Sequence, residues 1–280
     1  MIIIKGGTQM GNKLKVLVCA TNYGSWGEEL QAPWDALNKA GYDLTLATPK
    51  GLKPLPLTIS VDPDFVDGVQ NYKTNPPEVC DRIKELVQGD EWAHPIKIKD
   101  AKMADYDALV LTGGLGAMID LANDYNTHKL IRDAFYDGKI VGSLCYAVAA
   151  LVFCRDPKMD YKSVVYGKNI TAHPRAWDFY GPDMAAGYDL WGATEDNKGT
   201  DVITPGFLYP IEDLIRDAVG PNGNCIARNG ASREDPEANF SYPFITAASV
   251  ESSRAYGALL VKVLDKVAAG EDVSKQNIHL

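Results

Sequence analysis

The sequence predicts an α/β protein built as a three-layer sandwich, with a mainly parallel sheet and helices on both faces. Three observations carry that expectation. Apolar runs of strand length alternate with amphipathic helical stretches along almost the whole chain, the order that gives parallel sheets. The first run, a helical stretch and a second run follow one another through short connections, as in a β-α-β unit. One later run passes straight into a helix with a cysteine at the junction.

Residues 14–20 (LKVLVCA) are apolar apart from one lysine, the pattern of a strand buried on both faces. The next stretch, GEELQAPWDALNKAG, sets Leu30, Trp34 and Leu37 near helical spacing and stops at Gly41, a C-cap glycine. Residues 42–48 (YDLTLAT) then alternate as a second strand, and the crossover should be right-handed. Residues 49–103 are rich in proline and aspartate, with one amphipathic stretch around Val79 to Val87. They read as an insertion, a cap or a dimer contact, leaving the sheet.

The sheet resumes at residues 106–114 (YDALVLTGG), followed by a helix near 126–136 and a strand at 139–144 (KIVGSL). The helix AVAALVF (147–153) comes next. Beyond Asp156, short strands at 168–173, 225–228 and 244–249, a helix near 211–219 and a last helix over 252–268 complete the alternation. One domain with an insertion fits 280 residues better than two separate cores.

The charge balance, 37 acidic against 28 basic residues, makes nucleic acid an unfavourable partner. No window approaches the roughly 18 to 20 apolar residues of a membrane helix, and MIIIKGGTQMGNK is not a signal-peptide pattern. The cytoplasm is the expected compartment. Cys19, Cys80, Cys145, Cys154 and Cys225 are an odd number with no CxxC pair, which argues against a disulfide framework or a thiolate zinc site. His94, His128, His173 and His279 lack metal-ligand spacing, so no metal is expected.

Cys145 stands apart from the other thiols. In KIVGSLCYAVAAL a strand runs into a helix with almost no loop, the pattern of a nucleophile elbow above the carboxyl ends of the strands. A thiol at a helix N-terminus is expected to favour the thiolate. Most cysteines are small core residues, and that reading suits Cys19, Cys154 and Cys225.

Four segments together resemble the ThiJ/PfpI superfamily: GEELQAPWDALNKAGYDLTLATPKG, DYDALVLTGGLGAMIDL, KIVGSLCYAVAAL and FITAASVESSRAYGALL. The resemblance spans residues 14–268 and implies a flavodoxin-like fold similar to class I glutamine amidotransferases. The AMIDL turn, the insertion and the ESSRAYG helix are most similar to the branch of heat-shock chaperones with glyoxalase III activity.

The resemblance implies a glutamate before a proline on the first helix, in contact with the cysteine. That position is Glu29, ahead of Pro33, with Glu28 the neighbouring possibility. Both carboxylates could instead serve the helix N-terminus. It further implies an oxyanion site made by the backbone N–H groups of Gly114 and Tyr146. Many relatives carry histidine after the nucleophile and after the glycine pair; here those positions are Tyr146 and Leu115. His173 is then either a replacement base assisted by Asp178 or the Tyr146 hydroxyl, or a loop histidine held before Pro174. Some branches act with cysteine and glutamate alone. The aromatic stretch Trp177, Phe179, Tyr180, Tyr188 and Trp191 either lines a pocket or packs.

These residues imply a cysteine nucleophile that adds to a small carbonyl or amide compound and needs no cofactor. Amide or ester hydrolysis and glyoxalase III-like rearrangement of a 2-oxoaldehyde both fit. A stress chaperone or redox sensor using Cys145 oxidation, or an inactive scaffold, are the competing readings. Relatives imply a homodimer.

Overall fold

The computed structural model describes residues 13–178, 188–194, 203–204 and 207–280. β1 (Lys15–Cys19), α1 (Gly27–Lys39) and β2 (Asp43–Thr48) form the β-α-β unit, with β1 and β2 parallel from Lys15 opposite Asp43 to Cys19 opposite Ala47. Val16, Leu17, Val18 and Cys19 are fully buried, as a strand covered on both faces requires. In the insertion, α2 (Pro77–Gln88) buries Val79, Ile83, Leu86 and Val87. The segment does not stay outside the sheet: β3 (Ile96–Lys97) pairs parallel with the end of β2 and becomes its edge.

β4 (Ala108–Leu111), the short α3 (Ala117–Asp120), α4 (Tyr125–Tyr136), β5 (Ile140–Leu144) and α5 (Val148–Phe153) follow. Asp124 caps α4, its side chain accepting from the Thr127 N–H at 2.6 Å. A small hairpin comes next, β6 (Arg155–Asp156) with β7 (Lys162–Ser163), then β8 (Asn169–Thr171) and α6 (Arg175–Asp178). β9 (Tyr188–Asp189) and β10 (Ile203–Thr204) pair antiparallel. α7 (Ile211–Ala218), β11 (Asn224–Ile226), β12 (Ala238–Ser241), β13 (Phe244–Ala247), α8 (Ser253–Ala268) and β14 (Asn277–His279) end the described chain.

The central sheet runs β14-β12-β13-β5-β4-β1-β2-β3, parallel throughout except where β12 meets β13 and β14. α1 and α8 pack together on one face; α4, α5 and α7 cover the other. The place beside β5 belongs to β13, so β8 and β11 do not join this sheet as the alternation suggested. Among the described residues they pair only with each other, parallel, and β8 is tied to β13 by the Thr171 N–H donating to Thr246 Oγ1 at 2.9 Å. The consequence for function is a row of parallel strands, β4, β5 and β13, whose carboxyl ends lie side by side.

Candidate active site

Cys145 starts where β5 stops. Its φ is +55°, a left-handed backbone that costs a non-glycine residue about 1–3 kcal/mol and persists only where neighbours hold it. The holders are β4 and β13, which flank β5 up to Ser143 and Leu144. A 3-10 turn, Cys145–Ala147, and the six residues of α5 follow. The helix agrees with the expected 147–153 to within a residue, but at six residues its dipole is a weak source of thiolate stabilisation.

Gly113 and Gly114 close the floor from the end of β4. A Cβ on Gly113 would lie 2.3 Å from Glu29 Oε2, 2.6 Å from the Leu144 carbonyl and 2.7 Å from Cys145 Cβ. Gly114, at φ +103°, leaves no room either: its Cβ would lie 2.2 Å from the Trp26 nitrogen. Only glycine lets these backbones meet, and their meeting sets Glu29 over the cysteine. Pro33 offers no N–H to the Glu29 carbonyl four residues back, which loosens α1 at this turn.

Glu29 is buried among Cys145, the Gly114 N–H and a second buried acid, Glu251. Burial pushes its carboxyl well above the carboxylate range, with the charges of Glu251 and Glu28 adding and the Cys145 and Gly114 hydrogen-bonding contacts opposing. Its Oε2 makes no hydrogen bond of good geometry among the described residues. Cys145, 4% exposed, is also pushed up, first by burial and then by the charge of Glu29, with the Gly114 N–H opposing. The expected thiolate is therefore corrected: burial and the neighbouring acid push the thiol up, so Cys145 does not ionise alone. Burial likewise raises Cys80 to about 11 and Cys154 and Cys225 to about 12.

A second group lines the same cavity. The Tyr146 hydroxyl donates to Asp178 Oδ1 and lies 3.3 Å from His173 Nδ1, which is 2.9 Å from the same Asp178 oxygen. All three side chains are buried. Burial lowers His173 to about 3 and raises Asp178 to about 8, the latter with help from the charges of Glu212 and Asp213. No hydrogen bond joins His173 to Cys145 among the described residues. The side chain in hydrogen-bonding contact with the thiol is Glu29.

The two groups share one cavity of about 660 Å³. Cys145, Glu29, Gly114 and Leu115 line one side, and Tyr146, His173, Trp177 and Asp178 another. Glu28 does not reach it. Successive helix residues point in different directions, and Glu28 instead accepts both Arg233 Nη atoms, at 2.8 and 2.6 Å. Trp191 packs against the core rather than the cavity, and Phe179 and Tyr180, like the side chain of Tyr188, lie outside the described residues.

Sequence reading missed Trp26, Phe65 and Phe207, which also line the cavity, and Glu251, whose carboxyl burial raises to about 7. Glu251 sat in the SVESS run beside a predicted helix start, a signal that does not distinguish a cap from a buried acid.

A family description, ThiJ/PfpI family-like, matches residues 20–171. The chain belongs to the ThiJ/PfpI family. A glutathione-independent glyoxalase of Schizosaccharomyces pombe is 26% identical over 162 residues, 55% of this chain and 62% of that protein. The chain thus spans less than two thirds of the length of that curated relative. Glyoxalase III of Candida albicans superposes with a TM-score of 0.61 at 20% identity, covering 89% of this chain and 96% of that one. The 24 kDa rapid encystment protein of Francisella tularensis gives 0.65 at 17% identity, covering 90% and 99%. At these identities the ThiJ/PfpI likeness in structure is one of fold.

Proposed function

We propose that this chain is a cysteine-dependent enzyme that converts a 2-oxoaldehyde into the 2-hydroxy carboxylic acid without glutathione. The observation that carries the reading is Cys145 lying against the buried Glu29 carboxyl, beside the Gly114 N–H, on the wall of the cavity. The likeness to the glutathione-independent glyoxalase of Schizosaccharomyces pombe supports it.

In this reading the Cys145 sulfur adds to the aldehyde carbon while the Glu29 carboxylate accepts the thiol proton. A carboxylate raised toward neutrality is the better matched base for a thiol that does not ionise alone. The carbonyl electron pair moves onto oxygen, facing the N–H groups of Gly114 and Tyr146. The hemithioacetal carbon then gives up its proton, the neighbouring ketone carbon receives one, and a thioester of the 2-hydroxy acid results. Water cleaves the sulfur–carbonyl bond, releases the acid and restores the thiol. The sum is the addition of one water, with no external oxidant or reductant.

The second wall supplies what the middle step needs. His173 remains uncharged down to about pH 3 and Asp178 holds its proton up to about pH 8, so an acceptor and a donor sit side by side. A redox sensor is disfavoured, because oxidation needs an accessible thiolate and Cys145 is buried with its thiol pushed up.

The test is proton NMR of methylglyoxal incubated with wild type and with Cys145→Ala in the absence of glutathione. Lactate should accumulate with wild type alone. Equal lactate from both proteins, or none from either with a panel of 2-oxoaldehydes, rejects the reading.

A further inference from the structure

The cavity carries a statement about which carbonyl compound it takes, resting on the glyoxalase reading for the reaction itself. Its volume of about 660 Å³ lies in the range of sites that enclose drug-sized ligands, far beyond a three-carbon aldehyde. The larger part of its lining is apolar. Trp26, Phe65, Val69, Leu115, Phe207 and Val250 present apolar surface around the thiol. Two of them meet edge to face, Trp26 and Phe65, with ring centroids 5.9 Å apart, and Phe207 lies 5.3 Å from the Tyr146 ring.

Charge points the same way. The ionisable side chains on the wall are Glu29, Asp67, Asp178, Tyr146, the uncharged His173 and the thiol; among the described residues no lysine or arginine lines it. Asp67 is committed to its own loop, Oδ1 accepting from the N–H groups of Val69 and Gln70 at 2.8 and 2.7 Å. An anionic substrate would give up hydration here and find no counter-charge among the described lining residues.

We infer that the site selects uncharged carbonyl compounds bearing an aryl or branched alkyl group, with the Phe65–Gln70 loop of the insertion as the specificity element. The insertion is thereby given work that neither the sheet nor the catalytic groups require. A methyl group touches little of this wall; a phenyl ring beside Trp26 and Phe65 removes apolar surface from water on both partners.

Two measurements test it. In turnover, kcat/KM for phenylglyoxal should exceed that for methylglyoxal at least tenfold, an aldehyde carrying a phosphate should be poorer than either, and Phe65→Ala should narrow the first ratio through KM. In binding, Cys145→Ala titrated by tryptophan fluorescence should bind acetophenone at least tenfold more tightly than acetone or benzoate. Equal efficiency for methylglyoxal and phenylglyoxal, or equal affinity for acetophenone and benzoate, overturns the proposal and leaves the glyoxalase reading standing. Selective acetophenone binding without turnover of any 2-oxoaldehyde does the reverse: it upholds the selectivity and rejects that reaction.

Discussion

Glu29 and Asp178 are two buried acids that line one cavity, each with an oxygen that makes no hydrogen bond among the described residues. Both are held above the usual carboxylate range by burial. They differ in what holds them. Glu29 is fixed by the regular core: α1 on the sheet, β4 and β5 side by side, and a glycine pair with no room for a side chain. Asp178 ends α6, a four-residue helix beyond the last strand of that core, and is located by Tyr146 and His173. The same chemical state is thus reached once by strand geometry and once by contacts between side chains, and the two walls should fail differently.

The largest expected effect is at the glycine pair. Gly114→Ala puts a Cβ against main-chain atoms of the loop before α1 at a strained φ, so more than about 1–3 kcal/mol should be lost. The melting temperature should fall by about 5 °C or more, with turnover abolished. A variant of wild-type stability and activity would show that the first wall is less rigid than drawn.

Glu29→Gln comes next and should leave stability nearly unchanged. It removes the base, and turnover should drop about 100- to 10,000-fold. It also removes the charge that raises Cys145, so the pH profile of iodoacetamide alkylation, read by mass spectrometry, should move to lower pH. A shift to higher pH would mean that Glu29 stabilises the thiolate instead.

Tyr146→Phe should cost less. It strips Asp178 of a donor, leaving a buried oxygen short of a partner at a cost of about 1–3 kcal/mol. Turnover should fall while the Cys145 alkylation profile stays in place, which separates the walls. Movement of that profile would show them coupled.

The smallest effect is a pH slope. Asp178 keeps its proton up to about pH 8, whereas an unfolded aspartate releases it near 3.9, so its contribution to stability is full below about pH 4 and is lost as pH rises toward 8. His173 runs the other way: its contribution is present above about pH 6.5 and is lost as pH falls toward 3. In Asp178→Asn the melting temperature relative to wild type should therefore climb from pH 4 to pH 8. A flat difference would place the Asp178 carboxyl in a more hydrated setting.

Legibility in the sequence followed the range of the interactions. β1, β4 and β5 announced themselves because strands covered on both faces must be apolar throughout, β2 by its alternation, and α8 because its apolar residues recur at helical spacing. β12 (ANFS) and β14 (NIH) did not, since such short strands take their pairing from a neighbour and not from their own pattern. β8 and β11 read correctly as strands but were assigned to the wrong sheet, because nothing local says that β13 will occupy the place beside β5. Phe65 and Phe207 looked like any loop aromatics until folding brought them to one cavity.

The sequence by itself determined the layered α/β architecture, the cysteine at the β5–α5 turn, the glycine pair opposite it and a glutamate on the first helix. Each depends on residue types at fixed short spacing, which steric rules and periodicity translate directly. Only the tertiary structure decided that Glu29 faces the thiol while Glu28 turns to Arg233, that Glu251 joins them, and that Tyr146, His173 and Asp178 form one group. It also reversed the expected ionisation of Cys145. A pKa is set by how much water is removed and which charges replace it, and both are sums over residues far apart in the chain.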